Sequence, residues 1–326
     1  MRSRTHRWGA NFSKSIVLTG LLLGPLVVAA QASESQSASP DTVQGWRRNG
    51  MGTLNFSQVS LRNWAPGGQS SLSLLALTNV NLHHRRHKRI FDLTGDAVYG
   101  LLKAGPAQVR KNDDRLELNS KYGYEFSPQL YYAAQLNVKT QLTPTKSVET
   151  PDSLLSRFFA PAFILASVGI DYKPTDQLSV FLSPITGKFT VVAYQELADA
   201  GAFGVRPARR DTSDALIPGT GRRFRQELGA FLNVKYRRPV LPNIALQTRL
   251  DLFSNYLRNP QNIDVNWETL INFKVNRFVS ASISTILIYD DDILVPVSTT
   301  DDDVLDGRGK RVQFKETLGI GLTYKF

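Results

Sequence analysis

The chain has 326 residues, no cysteine, four histidines, 42% hydrophobic residues and a formal charge of +11. That length supports a large core, or one large barrel, without disulfides. The missing thiols exclude a disulfide framework, thiolate chemistry and a Cys-ligated metal, and the scattering of the basic residues argues against a nucleic-acid surface.

Arg2, Arg4, Arg7 and Lys14 form a basic start, followed by an apolar run from Ile16 to Ala30 and then Ala30-Gln31-Ala32. This is the pattern of a secretory signal cleaved after Ala32, and the run is short and interrupted for a membrane helix. Residues 33–49 then read as a flexible periplasmic lead-in, and residues 50–326 as one folded unit.

From residue 50 onward the chain is a succession of apolar/polar alternations, the period of a strand with two unlike faces. They predict twelve strands near 51–61, 70–82, 90–102, 113–126, 130–142, 160–173, 177–192, 224–236, 243–257, 262–275, 279–290 and 312–326. Pro184-Ile185-Thr186-Gly187 predicts a bulge in the seventh. Apart from Glu316, the last strand puts only apolar residues on one face, Phe314, Leu318, Ile320, Leu322, Tyr324 and Phe326, with Gln313, Lys315, Thr317, Gly319, Gly321, Thr323 and Lys325 on the other. Tyr194–Phe203 reads as a short helix within a loop.

A soluble sandwich would alternate in the same way. Connector lengths favour a membrane: short ones (His83–Arg89, Ser127–Gln129, Pro174–Asp176, Arg237–Pro242, Asn276–Phe278) alternate with long ones (Thr143–Phe159, Ala193–Arg223, Asp291–Arg311). Outer-membrane barrels have short periplasmic turns and longer external loops. Aromatics also gather at the strand ends, as interfacial girdles do. The expected fold is therefore all-β, an up-and-down antiparallel transmembrane β-barrel of about twelve strands. Its apolar face meets outer-membrane lipid and both termini are periplasmic. A final strand ending in Phe resembles the C-terminal signal of bacterial outer-membrane barrels, which implies the barrel-assembly machinery as a partner.

Several blocks carry a second resemblance. Asn55-Phe56-Ser57-Gln58, Asn63-Trp64-Ala65-Pro66-Gly67-Gly68 and Lys111-Asn112-Asp113-Asp114 are joined by Ser120-Lys121-Tyr122-Gly123-Tyr124, Leu252-Phe253-Ser254-Asn255-Tyr256 and Ile288-Tyr289-Asp290-Asp291. Together they resemble an uncharacterised family of Bacteroidota outer-membrane barrels, domain of unknown function 3078, over about residues 45–326. The resemblance implies the fold and a Bacteroidota source, and brings no activity with it.

The remaining chemistry is sparse. His83, His84 and His87 fall in one expected turn, where four neighbouring cations oppose a metal. With no histidine expected on a strand or an external loop, a general base is missing, and neither enzyme, metal nor cofactor is expected. The acidic triplets 290–292 and 301–303 lack the spacing of a calcium loop. Trp64 is a mouth aromatic that would stack on a ligand or pack over the rim.

The expected lumen carries Asp92, Asp96, Glu117, Glu227, Asp251, Asp264 and Glu268 beside Arg115, Lys121, Lys139, Lys235, Arg249, Lys274 and Lys315. Such balance suits either a pore of little charge selectivity or a bore filled with ion pairs. Tyr194, Leu197 and Phe203 make the longest connector unusually apolar, which predicts a constriction at the mouth, with Gly201 and Gly204 turning the chain. The leading expectation is a small-solute channel or transport component. The alternatives are a non-conducting structural or surface-binding barrel and, behind it, an outer-membrane hydrolase.

Overall fold

The computed structural model describes residues 44–61, 69–147, 153–293, 295–297 and 307–326. The expected signal segment and Trp64 lie outside the described residues. Period-2 alternation becomes twelve strands: β1 Gly45–Val59, β2 Ser71–Arg86, β3 Arg89–Ala104, β4 Arg110–Ser127, β5 Leu130–Thr140 and β6 Ala162–Thr175, then β7 Leu178–Val191, β8 Phe224–Leu241, β9 Ile244–Asn255, β10 Ile263–Lys274, β11 Val279–Tyr289 and β12 Gln313–Lys325. Each pairs antiparallel with its sequence neighbours, and β12 pairs with β1 to close the barrel. Closure pairs the first strand with the last from Met51↔Lys325 to Asn55↔Gly321, removing the wholly free edges that hydrocarbon would not tolerate.

All the short connectors lie at one end. Arg86↔Arg89, Ser127↔Leu130, Thr175↔Leu178 and Leu241↔Ile244 enclose two-residue turns. His87 and Gln129 take positive φ in the first two. In the fifth turn Asn276 Oδ1 accepts from the N–H groups of Phe278 and Val279, both at 2.8 Å.

Three local expectations change, the first being that β8 runs on to Leu241, so that the expected Arg237–Pro242 connector shrinks to a turn at Pro242-Asn243. β1 starts at Gly45, earlier than its alternation suggests, because Trp46 pairs with His84, their tilted rings 4.6 Å apart, while Arg47 lies on the opposite face. The adjacent arginines hide that period in the sequence. The His83–Arg89 stretch is mostly strand: pairing continues to Arg86↔Arg89, so His83 and His84 lie on β2 and only His87 and Lys88 form the turn.

The outward face is apolar. Leu136, Val168, Leu182, Trp267 and Leu322 are exposed along it, with Tyr124, Tyr132, Tyr172, Tyr324 and Phe326 toward the short-turn end. Glu316, between Phe314 and Leu318, is a charge on this face, and two of its other polar groups are answered locally. Trp267 Nε1–H donates to Thr248 Oγ1 at 2.8 Å, and Tyr256 Oη–H to the Pro184 carbonyl at 2.9 Å. That carbonyl belongs to the expected bulge, where the register of β6 with β7 slips between Val168↔Ile185 and Ile170↔Leu182. The bulge brings backbone so close that a Cβ on Gly169 would lie 2.0 Å from the Leu182 carbonyl oxygen. It also reverses the parity of β7: Phe181 and Ser183 point inward before it, and Thr186, Lys188 and Thr190 after it.

Candidate functional site

The inward side chains assemble into three charged tiers. Near the short turns, Lys121 Nζ meets Asp171 at 3.0 Å, and Lys173 Nζ meets Asp92 at 3.5 Å and Asp171 at 3.9 Å. His83 Nδ1 contacts Asp92 at 2.5 Å, and Ser179 Oγ–H donates to Asp171 at 2.7 Å.

At the waist, Arg249 binds Glu117 at 2.8 Å, Glu268 at 3.0 Å and Asp251 at 3.2 Å. Arg115 Nη1 donates to both oxygens of Glu268 at 3.1 Å, and Lys139 Nζ stands 3.9 Å from it. Asn137 Nδ2–H donates to Glu117 at 2.8 Å, and Asn233 to Asp251 at 2.5 Å.

Beside the long loops, Lys188 joins Asp264 at 2.5 Å, Asp290 at 3.2 Å and Glu227 at 4.0 Å. Arg225 joins Glu227 at 2.6 Å and Asp292 at 3.3 Å. Lys315 contacts Asp113 at 2.5 Å on the far wall.

The waist tier crosses the bore. β4 and β10 are six strands apart in either direction round the ring of twelve. A circular twelve-stranded barrel, with strands spaced about 4.8 Å and tilted about 40°, would be roughly 24 Å across. Extended Arg and Glu side chains and the 3.1 Å contact between Arg115 and Glu268 together span only about 15 Å. The section is therefore drawn in from circular at this level, and Arg115–Glu268 bridges opposite walls. Arg249–Glu117 does the same between β9 and β4.

On one side of this bridge the lumen is packed. Phe181, Phe231 and Phe253 cluster with Ala133 and Leu165, and Lys121 and Lys188 lie over the Phe181 and Phe253 rings. Glu117 is only 2% exposed and is tolerated there because Arg249 and Asn137 both reach it. Along β2, β11 and β12 the inward residues, such as Ser73, Ser282 and Thr317, are only half-buried.

Most of the expected lumen residues thus fall into these three tiers, six of them at the waist. Asp96 accepts from Asn79 Nδ2–H at 2.6 Å, while Lys235 and Lys274 make no ion pair among the described residues. The sequence reading missed Asp171, Lys173, Lys188 and Arg225. Lys188 was hidden by the bulge, since unbroken alternation puts it on the lipid side. Asp171, Lys173 and Arg225 follow the alternation and were legible.

The connector from Val192 to Arg223 shares a small core with the neighbouring connector, which contributes Ala160 and Leu154. Leu197 is buried with Ala160, Val192, Ala198 and Val205, and Tyr194 and Phe203 cover this cluster. Gln195–Asp199 is a helix, and Gly201 and Gly204 both take positive φ as the chain turns. The Gly204 carbonyl lies 3.4 Å from Arg225 Nη1, so this turn rests on the charged mouth. Hydrogen bonds from Gly219 N–H first, and then from Gln195, hold the Asp199 carboxyl below its usual range.

The acidic run 290–292 is divided among separate cations: Asp290 with Lys188, Asp291 with Lys310 at 2.7 Å and Asp292 with Arg225. Among the described residues no group of acidic, histidine or cysteine side chains is placed to hold a metal. Residues 301–303 lie outside the described residues.

Residues 56–145 match the model of the family described as "Protein of unknown function (DUF3078)", so the resemblance read in the sequence holds over that stretch. Solved structures of similar fold include a COG4313 outer membrane channel from Pseudomonas putida F1, 9% identical over 88% of this chain and 97% of that one, with a TM-score of 0.39. The translocator domain of the autotransporter NalP from Neisseria meningitidis is 8% identical over 88% and 90%, with a TM-score of 0.37. The NanC porin is 8% identical over 84% and 98%, with a TM-score of 0.36. These neighbours are outer-membrane β-barrels. No curated protein matches the chain.

Proposed function

We propose that the protein is an outer-membrane barrel whose bore is closed to solutes, and that it acts as a structural or binding element through its external face. The observation that carries this reading is the waist bridge, in which Arg115–Glu268 and Arg249–Glu117 join opposite walls. An open channel would leave such charges wet along the wall; here carboxylates and guanidiniums satisfy one another across the lumen. An apolar exterior with aromatic ends supports insertion in a bilayer. The ordered layer at the long-loop end, built on Leu197, Ala198 and Val205, supports a presenting surface better than an open mouth. The same geometry weighs against the small-solute channel.

Liposome swelling tests the reading. Vesicles containing the full chain should swell no faster in isotonic arabinose than protein-free vesicles. Swelling that depends on solute size would restore the channel.

A further inference from the structure

The barrel closes by its weakest ladder. β1 and β12 pair only from Met51↔Lys325 to Asn55↔Gly321, extended at the short-turn end by reciprocal Gly50–Phe326 hydrogen bonds of 2.8 and 3.0 Å. Beyond Asn55 the same register would pair Phe56 with Ile320, Gln58 with Leu318 and Val59 with Thr317, but it stops. Both strands continue there, each held only by its other neighbour: β1 by β2, and β12 by β11.

A cavity of about 80 Å³ opens at this point. Its lining comes from both faces of the wall: Phe56 and Leu318 point outward and are 53% and 70% exposed, while Ser73, Leu75 and Thr317 point into the lumen. Lys315 and Asp113 stand at its charged side. At its narrow end Asn55 is only 6% exposed, and its Oδ1 has no hydrogen-bond partner.

We infer that this opening is a lateral site for an acylated amphiphile that enters from the membrane between β1 and β12. The inference rests on the reading of the barrel as membrane-inserted. Hydrocarbon alone cannot occupy the opening stably, because it leaves backbone N–H and C=O groups without partners in the bilayer. The occupant must bring hydrogen-bonding groups, as a lipid does at its ester, amide or sugar region. Asn55 offers an unanswered acceptor, the Lys315–Asp113 pair offers charge to a polar head, and Phe56 and Leu318 offer apolar contact to the chain.

A polypeptide strand would also satisfy free edges, but the gap is a wedge. At its closed end a Cβ on Gly319 would lie 2.6 Å from Asn55 Nδ2, so the two walls nearly touch there. A tapered head-and-tail molecule fits a wedge better than a strand that needs full spacing from both edges along its length.

The test uses the full chain in phosphatidylethanolamine–phosphatidylglycerol vesicles that contain a phospholipid with a photoreactive acyl chain. Adducts mapped by mass spectrometry should include lumen-facing Ser73 or Thr317 as well as outward Leu136. In a Gln58→Cys/Leu318→Cys variant, oxidation should zip the seam and reduce the lumen adducts to background, leaving those at Leu136. Adducts on outward residues alone, or lumen adducts that survive oxidation, would overturn the lateral site. An adduct between this edge and another protein in native membranes would assign it to a strand instead. Absence of adducts at Leu136 as well would mean that the membrane reading itself had failed.

Discussion

Replacing Glu268 by Gln removes the carboxylate on which the waist closes. Glu268 accepts two contacts of 3.1 Å from Arg115 and one of 3.0 Å from Arg249, with Lys139 Nζ at 3.9 Å. The amide leaves three cations to share Glu117 and Asp251. Breaking a buried ion pair from one side costs about 3–5 kcal/mol. Water in the half-buried part of the lumen screens this site, so the lower end, about 3 kcal/mol, is the expected loss. Urea unfolding from lipid vesicles measures it. Arg115→Gln combined with Glu268→Gln should recover part of the loss, giving a coupling of about 1–3 kcal/mol in a double-mutant cycle. The single variant should also admit ions, because Arg115, Lys139 and Arg249 then repel one another across the bore. A loss below about 0.5 kcal/mol with no coupling would refute the bridge as an energetic unit.

Leu136→Arg, on the outward face between Ser120 and Ala166, should cost about 2–4 kcal/mol in the same assay, whereas lumen-facing Ser282→Lys should cost far less. Equal damage would reverse the face assignment. Epitope tags in the 192–223 connector should be reachable on intact cells, and tags at Pro128-Gln129 hidden until the outer membrane is opened; the opposite pattern would invert the topology. Asp199→Asn should loosen the 195–221 loop, read as faster proteolysis after Arg209 or Arg210, because Gly219 and Gly221 lose their carboxylate acceptor. Since the folded-state pKa of Asp199 is lowered, its contribution should be fully present above the ordinary value of 3.8 and be lost only as the pH falls below it. Loosening that begins near neutral pH would point to another group.

The wall was legible because its signal is local. Alternation in Ile263–Lys274 or Gln313–Lys325 follows directly from a strand with lipid on one side, and turn chemistry fixes the hairpins one pair at a time. The interior was legible only as a set of inward residues. Nothing in the spacing of Arg115 and Glu268 says that they touch, because a contact across the bore depends on how far the section departs from circular. The bulge at Pro184 is visible in the sequence, but the position of the extra residue, which decides the side on which Lys188 falls, is not. His83 was misplaced because charged His-Arg runs resemble turns, although here they finish a strand whose inward member has Asp92 opposite it. The unzipped part of the β1–β12 seam left no trace, since Asn55-Phe56-Ser57-Gln58 and Leu318-Gly319-Ile320 alternate as well as any paired stretch.

Single-channel recording of the full chain in a planar bilayer tests the closed bore most directly, with insertion verified by protection of the 192–223 connector from protease on one side only. A closed bore leaves the membrane silent with the wild-type protein and gives current steps once Glu268→Gln breaks the waist. Stable, ohmic steps from the wild-type protein, unchanged by that substitution, would contradict it.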